Sequence, residues 1–436
     1  MSFASLLPAA VLFALSFRLA GAISAQTFAP PSKGPLVQTA NYTSFSNNTL
    51  HNKHVVKGKV FDRIIQVWFE NTDFATAIST PAFEQLTKQG LLLTNYNAVT
   101  HPSQPNYVSA IGGDFFGLQD DAMFHIPSNI STVVDLLEEK HISWATYQEN
   151  MPENGYYGIS YKAANYGNSS AKPYSYYVRK HNPLMVYDAV SQDPARLRNI
   201  RTFNDFANDV VNGTLPQWVF VTPNMVNDGH DTTIDYAASF LEYWLVPLLT
   251  DKRVNGDRTL ILVTFDENET WEIQNNVFAL ALGGAVAKHL HGTTDDTLYT
   301  HYSSLSTVQA NWCLGSLGRQ DTNATVSNVF SFVAQKTGYK NVHVPANQAP
   351  QFNLSDVAPG PLNSDAYIPF AAPNLKARGA GGGPVFLRPG LNKTLTVEKL
   401  PPPVDLYSLK KAVPWQMSPR TTSGKNIIPC ADSDCK

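Results

Sequence analysis

Ser103 stands in Thr100-His101-Pro102-Ser103-Gln104-Pro105-Asn106-Tyr107, after the apolar run Leu91 to Val99 and ahead of a short helical stretch that stops at Gly112-Gly113. A hydroxyl where a strand hands over to a helix is well placed as a nucleophile, because unpaired N–H groups and the positive end of the helix dipole favour an alkoxide and an approaching anion. Pro105 suits the first turn of that helix. Alone, such a serine reads more readily as a helix cap than as a nucleophile. Three more polar clusters follow apolar runs: Glu70-Asn71 after Phe61 to Phe69, Asn227 to Asp231 after Trp218 to Thr222, and Asp266-Glu267 after Thr259 to Phe265. Glu70, Asn71, Asp266 and Glu267 offer hard oxygen donors, and carboxylates packed together call for a divalent cation among them. Such a cation could also take Ser103 Oγ, lowering its pKa and fixing its aim. Singly, Glu70 and Asp266 could merely end their strands.

The basic groups carry weaker signals. His230 and Asp231, in a glycine-containing turn before a helix, could hold a substrate oxygen or assist proton transfer, or could form an N-cap. His181, beside Arg179 and Lys180, suits a phosphate; a solvated basic turn is the plainer reading. His301 could protonate a leaving group. Asn106 could donate to a phosphate oxygen or cap a turn, and Asp73 reads as the cap of a short helix.

The elements that must position these residues alternate. Strands are expected at Phe61 to Phe69, Leu91 to Val99, Ile142 to Tyr147, Trp218 to Thr222, Thr259 to Phe265 and Val277 to Leu282. Helices are expected at Pro81 to Gln89, Ser131 to Lys140, Thr202 to Asn212, Ile234 to Leu249 and Ser304 to Leu317. Alternation of this kind implies an α/β sandwich around a mostly parallel sheet. Ligands then bind beyond the carboxyl ends of the strands, which is where the four polar clusters fall. The segment 149–182, rich in Tyr, Asn, Gly and Ser, reads as a long ordered loop over a site.

Met1 to Ala25 reads as a secretory signal (1–25), with an apolar run at Leu6 to Phe17 that is well under the ~20 residues a membrane span needs. No stable membrane anchor is expected, and no glycolipid-anchor tail. A polar surface arm follows (26–59), then a catalytic domain (60–345) and an irregular Pro/Gly-rich C-terminal extension (346–436). Nine Asn-x-Ser/Thr sequons, at Asn41, Asn47, Asn129, Asn168, Asn212, Asn268, Asn323, Asn353 and Asn392, agree with a secreted, extracellular or cell-wall protein that carries N-linked glycans. Asn268 sits directly after Glu267, where a glycan would block the site. Cys430 and Cys435 are close enough for a small disulfide loop, which leaves Cys313 as a buried apolar thiol. With 436 residues, 43% hydrophobic and 15% charged, the chain can bury a large core; a net charge of −3 and no basic stripe give no sign of nucleic-acid binding.

Over roughly residues 60–335 the chain resembles the phosphoesterase family of fungal secreted acid phosphatases and bacterial phospholipases C, within the alkaline-phosphatase-like superfamily. Phe69-Glu70-Asn71, His101 to Tyr107, Arg179-Lys180-His181-Asn182-Pro183, Asn227 to Asp231, Thr264 to Glu267 and His301-Tyr302-Ser303 carry the resemblance. It implies an alkaline-phosphatase-like, three-layer α/β/α sandwich. It implies Ser103 as nucleophile, Glu70, Asn71, Asp266 and Glu267 around one divalent metal cation of open identity, and His230 and His301 as further catalytic groups. Lys180, His181, Asn106 and Asp231 would then bind the substrate. The expected activity is hydrolysis of small phosphate monoesters through a phosphoseryl intermediate. A phospholipase C or other phosphodiesterase with the same site, and a non-catalytic glycoprotein on the same fold, are the alternatives.

Overall fold

The computed structural model describes residues 52, 54–165, 170–345, 358–363 and 365–388. In chain order its strands are β1 (Arg63–Phe69), β2 (Leu91–Leu93), β3 (Tyr96–Asn97), β4 (Trp144–Gln148), β5 (Ser160–Ala163), β6 (Tyr174–Val178), β7 (Ile200–Thr202), β8 (Trp218–Thr222), β9 (Thr259–Phe265), β10 (Ala279–Leu282), β11 (Thr293–Asp295) and β12 (Tyr299–Thr300). Eight form one sheet in the order β11-β2-β10-β9-β1-β8-β4-β7. Neighbours are parallel except at β10, which runs antiparallel to β9 and β2. The unbroken apolar run of β9, buried at every residue, suits a strand covered on both faces.

Successive residues of β1 point to opposite layers. Trp68 packs on Tyr107 and His301, from the helices Ser103–Gly112 and His301–Trp312. Phe69 packs on Phe83 and Phe240, from the helices Pro81–Thr87 and Ile234–Phe240. The expected three-layer α/β/α sandwich with a mostly parallel sheet is the observed one. Local signals fix several helix ends: Thr202 and Asp205 form a capping box at the start of Phe203–Asn212, and Gly213 stops it at φ 66°.

Several expectations need correction. The run Leu91 to Val99 is two short strands, because Thr94 and Asn95 turn the chain toward Asp295 and Asp296 and out of the main sheet to pair with β12. Segment 149–182 contains the β5–β6 hairpin rather than one long loop. The helix expected from Ser304 starts at His301, whose neighbour Thr300 forms a capping box with Ser303. It ends at Trp312, where Cys313 takes the left-handed conformation (φ 53°) and is exposed, not buried. The helix from Ile234 widens into a π turn at Leu241–Leu245, just ahead of Pro247, which has no N–H to give.

Among the described residues no helix is long and apolar enough to cross a membrane. The signal segment and the Cys430–Cys435 pair lie outside them, as do Asn41, Asn47, Asn168, Asn353 and Asn392. The described part of the C-terminal stretch returns to the body: Val385 bridges Ser316, Phe370 packs on Phe116, and Arg388 pairs with Asp135.

Candidate active site

The register of the sheet assembles the acidic side. Phe69 and Phe265 are partners across β1 and β9, so the next residues, Glu70 and Asp266, leave the sheet side by side. Asp266 N donates to Phe69 O at 3.0 Å, and Glu70 N donates to Asp228 O, beyond β8, at 2.9 Å. Asn71 adopts the left-handed conformation at φ 42°, which asparagine tolerates better than most residues. That turn ends the strand's alternation and brings the Asn71 amide to the same point as the Glu70 carboxylate. Glu70, Asp228 and Asp266 have no exposed surface and Glu267 has 2%.

Ser103 is the first residue of its helix, behind Pro102. Its Oγ donates to Glu70 Oε2 at 3.0 Å, and the hydroxyl favours the charged form of the nearby Glu267 carboxylate. One turn later, on the same face, Tyr107 donates its hydroxyl to Glu70 Oε1. His101 Nδ1 lies 2.8 Å from Glu267 Oε2. Tyr107, His101 and Asp228 were not among the expected site residues. The four-residue step from Ser103 could have pointed to Tyr107.

The basic side lies on the turn Arg179–His181 and the segment after β8. Lys180 Nζ lies 2.9 Å from both Asp121 Oδ2 and His230 Nε2. Burial opposes its charge, but the Asp121 and Glu70 carboxylates outweigh burial and hold its pKa above the ordinary lysine value. His230 Nδ1 lies 2.7 Å from Asp231 Oδ1, and Tyr174 of the hairpin donates to Asp231 Oδ2.

Four of the expected residues meet partners within the chain. Asp231 faces His230 and Tyr174, where it can orient the His230 ring. Asn106 is fully buried: its Oδ1 accepts from Val99 N and Thr100 N, and its Nδ2 donates to Thr100 O at 2.7 Å. It braces the turn that carries Ser103. His181 is wedged between Glu70 Oε1 (3.1 Å) and Asp228 Oδ2 (3.3 Å), and burial, then the Lys180 and His230 charges, push its pKa well below the ordinary value. It supports Glu70 as a neutral ring and offers no positive charge to a phosphate. His301 has no exposed surface, its Nε2 meets Asp266 O at 2.6 Å and its ring packs on Trp68. Burial pulls its pKa down to about 4. It holds Asp266 from behind the site and is out of place as a leaving-group acid.

Asp73 does precede the helix Phe74–Ser79, but its carboxylate accepts from Glu269 N, Thr270 N and Thr270 Oγ1. Asn268, 1% exposed, donates through Nδ2 to Thr270 O at 2.7 Å, so its sequon is folded inward and no glycan blocks the site in this fold.

The acids are short of positive charge. Burial first, then Asp266 and Asp228, pushes Glu70 well above the usual carboxylate range. Burial drives Asp228 and Glu267 the same way and lifts Asp266 to about 6. Asp266 Oδ2 is buried without a donor. The Asn71 amide oxygen faces Glu70 Oε2 and Glu267 Oε1 at 3.2 Å, acceptor against acceptor; turned over, its nitrogen donates to both. A buried Asp266 Oδ2 without a donor, among converging carboxylate oxygens, fits a hard divalent cation. Glu70, His181 and His230 also bring ligand atoms within 4.8 Å of one another, a possible metal-binding triad that shares Glu70. Each set holds a buried atom without a hydrogen-bond partner, Asp266 Oδ2 in the first and His181 Nε2 in the second.

Comparison with known proteins bears on this site. A model of the phosphoesterase family matches residues 38–315. An acid phosphatase of Aspergillus fumigatus is 46% identical over 327 residues, covering 74% of this chain and 70% of that protein. A phosphate-repressible acid phosphatase of Penicillium chrysogenum is 45% identical over 328 residues, 75% of this chain and 76% of that protein. Among solved structures, a protein in the alkaline phosphatase superfamily from Vibrio parahaemolyticus aligns with a TM-score of 0.37 and 10% identity, covering 61% of this chain and 70% of the other.

Proposed function

This chain belongs to the phosphoesterase family and is a phosphoric-ester hydrolase, and on that premise we propose that it acts as a secreted acid phosphatase, releasing inorganic phosphate from small monoesters through Ser103. The observation that carries the reading is Ser103 at a helix start, hydrogen-bonded to Glu70 inside a cluster of buried carboxylates.

Glu70, Asn71, Asp266 and Glu267 would hold the cation. When bound, it lowers the pKa of the serine hydroxyl and offsets charge on the phosphoryl oxygens. Ser103 passes its proton toward Glu70 Oε2, the atom it already donates to. Its Oγ forms a bond to phosphorus as the bond to the leaving oxygen breaks. Lys180, charged and fixed by Asp121, stabilises the equatorial oxygens. The leaving oxygen takes its proton at the His230–Lys180 pair, where Asp231 fixes the ring. Water then attacks phosphorus and gives its proton to the His230–Lys180 pair; the bond to Ser103 Oγ breaks, Oγ recovers its proton from Glu70, and inorganic phosphate leaves.

The test is turnover of a chromogenic monoester and the matching diester near pH 5 by the wild type and Ser103→Ala, with acid quenching and mass spectrometry of the Ser103 peptide. Monoester turnover that vanishes in the variant, with phosphate trapped on Ser103, is the expected result. Diester preference would replace the reading with a phosphodiesterase using the same serine. Activity surviving in Ser103→Ala would remove the nucleophile.

A further inference from the structure

We propose that Trp271 forms the leaving-group wall of this site and favours phosphate monoesters whose alcohol carries a flat, uncharged aromatic ring, an inference that rests on the monoesterase reading above. Trp271 is 47% exposed, an unusual state for so large an apolar ring. One indole face stacks on His101, with centroids 4.6 Å apart and planes 17° from parallel. His101 in turn touches Glu267 and stands two residues before Ser103. The indole is therefore joined to the turn that carries the nucleophile, with about half of its surface exposed.

The loop that carries Trp271 is built to hold it there. Asn268 N donates to Asn275 Oδ1 at 2.9 Å, and Asn275 Nδ2 donates to Thr100 O at 2.9 Å. Thr270 is tied to Asp73 through N at 2.9 Å and Oγ1 at 2.7 Å. These bonds fasten the loop to the turn that carries Ser103, so little ordering remains to be done when a ligand arrives. Exposed Ile273 adds an apolar neighbour, while exposed Glu269 and Glu272 repel leaving groups that carry further negative charge. Stacking on a partly exposed ring gives a modest effect.

Benzyl phosphate and n-propyl phosphate, whose leaving alcohols are of similar acidity, isolate that effect. Trp271→Ala is expected to lower kcat/KM for benzyl phosphate about five-fold and to leave n-propyl phosphate nearly unchanged. Trp271→Phe, which preserves a stacking face, is expected to keep most of the benzyl preference. An equal fall on both esters would make Trp271 a support for His101 alone and overturn the proposal, as would an unchanged benzyl rate. A wild type inactive on both esters would sink the monoesterase reading, and this inference with it. An active wild type whose Trp271→Ala variant keeps the benzyl-to-propyl ratio would sink only the inference.

Discussion

Two buried clusters of charge lie on the same sheet. At one edge, Arg201 of β7 has no exposed surface and sets its guanidinium against Asp209 (2.9 Å) and Asp205 (3.3 Å) of the next helix. Tyr147 of β4 adds a 2.6 Å hydrogen bond to Asp209, and Thr202 and Thr214 supply further donors. Near the middle, at the ends of β1, β8 and β9, Glu70, Asp228, Asp266 and Glu267 are as deeply buried, yet Asp266 Oδ2 meets no donor. The first cluster is closed by its own residues. The second leaves a buried carboxylate oxygen without a donor. Burial of charge alone does not mark a functional site; an unfilled demand for positive charge does.

The largest expected contrast is between Ser103→Ala and Arg201→Met. The first should cost about 10⁴-fold or more in kcat with the urea unfolding midpoint nearly unchanged. The second should cost about 3–5 kcal/mol of stability and leave the kcat of the folded fraction intact. Comparable damage to both properties in both variants would erase the distinction.

Next comes a difference in sign. Removing a charge from the open cluster should stabilise the metal-free protein, whereas removing one from the closed cluster should destabilise it. Asp266→Asn is therefore expected to raise the melting temperature at pH 7 in chelator and to abolish the response to added divalent cation; Asp209→Asn is expected to lower it.

The pH dependence follows from the same carboxyl. Asp266 sits at about 6 in the fold against an ordinary 3.8, so the folded chain binds the extra proton between those values. Its favourable contribution is complete below about pH 4 and is lost as pH rises through 6. The advantage of Asp266→Asn over the metal-free wild type should thus be near zero at pH 4 and reach a plateau above pH 6. His101 and His301, held at about 4 by burial, contribute in the opposite sense: their share is present above 6.5 and lost as pH falls through 4. They are common to both proteins and cancel in the difference between melting curves. A flat difference across this range would contradict the shift at Asp266.

The smallest contrast pairs two tyrosines that each donate to a buried carboxylate. Tyr147→Phe should cost about 1.5–3 kcal/mol of stability without touching turnover. Tyr107→Phe should lower kcat/KM about ten-fold, since a donor to a charged group contributes roughly 1.5–3 kcal/mol, and should weaken the response to added cation.

Much of this frame was legible in the chain. Trp218 to Thr222 and Thr259 to Phe265 are strands at those bounds, because buried central strands are continuous β-branched and aromatic runs. Residues just past them had to fall at one edge of a parallel sheet, which is why Glu70, Asn71, Ser103, Asp266 and Glu267 could be grouped before any coordinates. Features set by partners far along the chain were not legible. The break at Thr94 depends on Asp295, the support that His301 gives Asp266 spans 35 residues, and the pinning of Asn106 depends on how the turn at Val99 folds back. Cys313 misled for a local reason: the apolar company of Trp312 and Leu314 hid a helix stop.

Position 71 answers to two demands at once. The backbone there must turn left-handed, and the side chain must place a neutral amide among carboxylates. Glycine meets the first and loses the second. Aspartate meets both in shape but adds another negative charge to a cluster that already lacks a counterweight. Bulky or branched residues fail the backbone test outright. A saturation library at this codon should return little but asparagine among active clones. In a chain that kept Ser103 but had drifted at this position, the nucleophile would survive as an ornament, and Asn71 rather than the serine would be the place to look for loss of the enzyme.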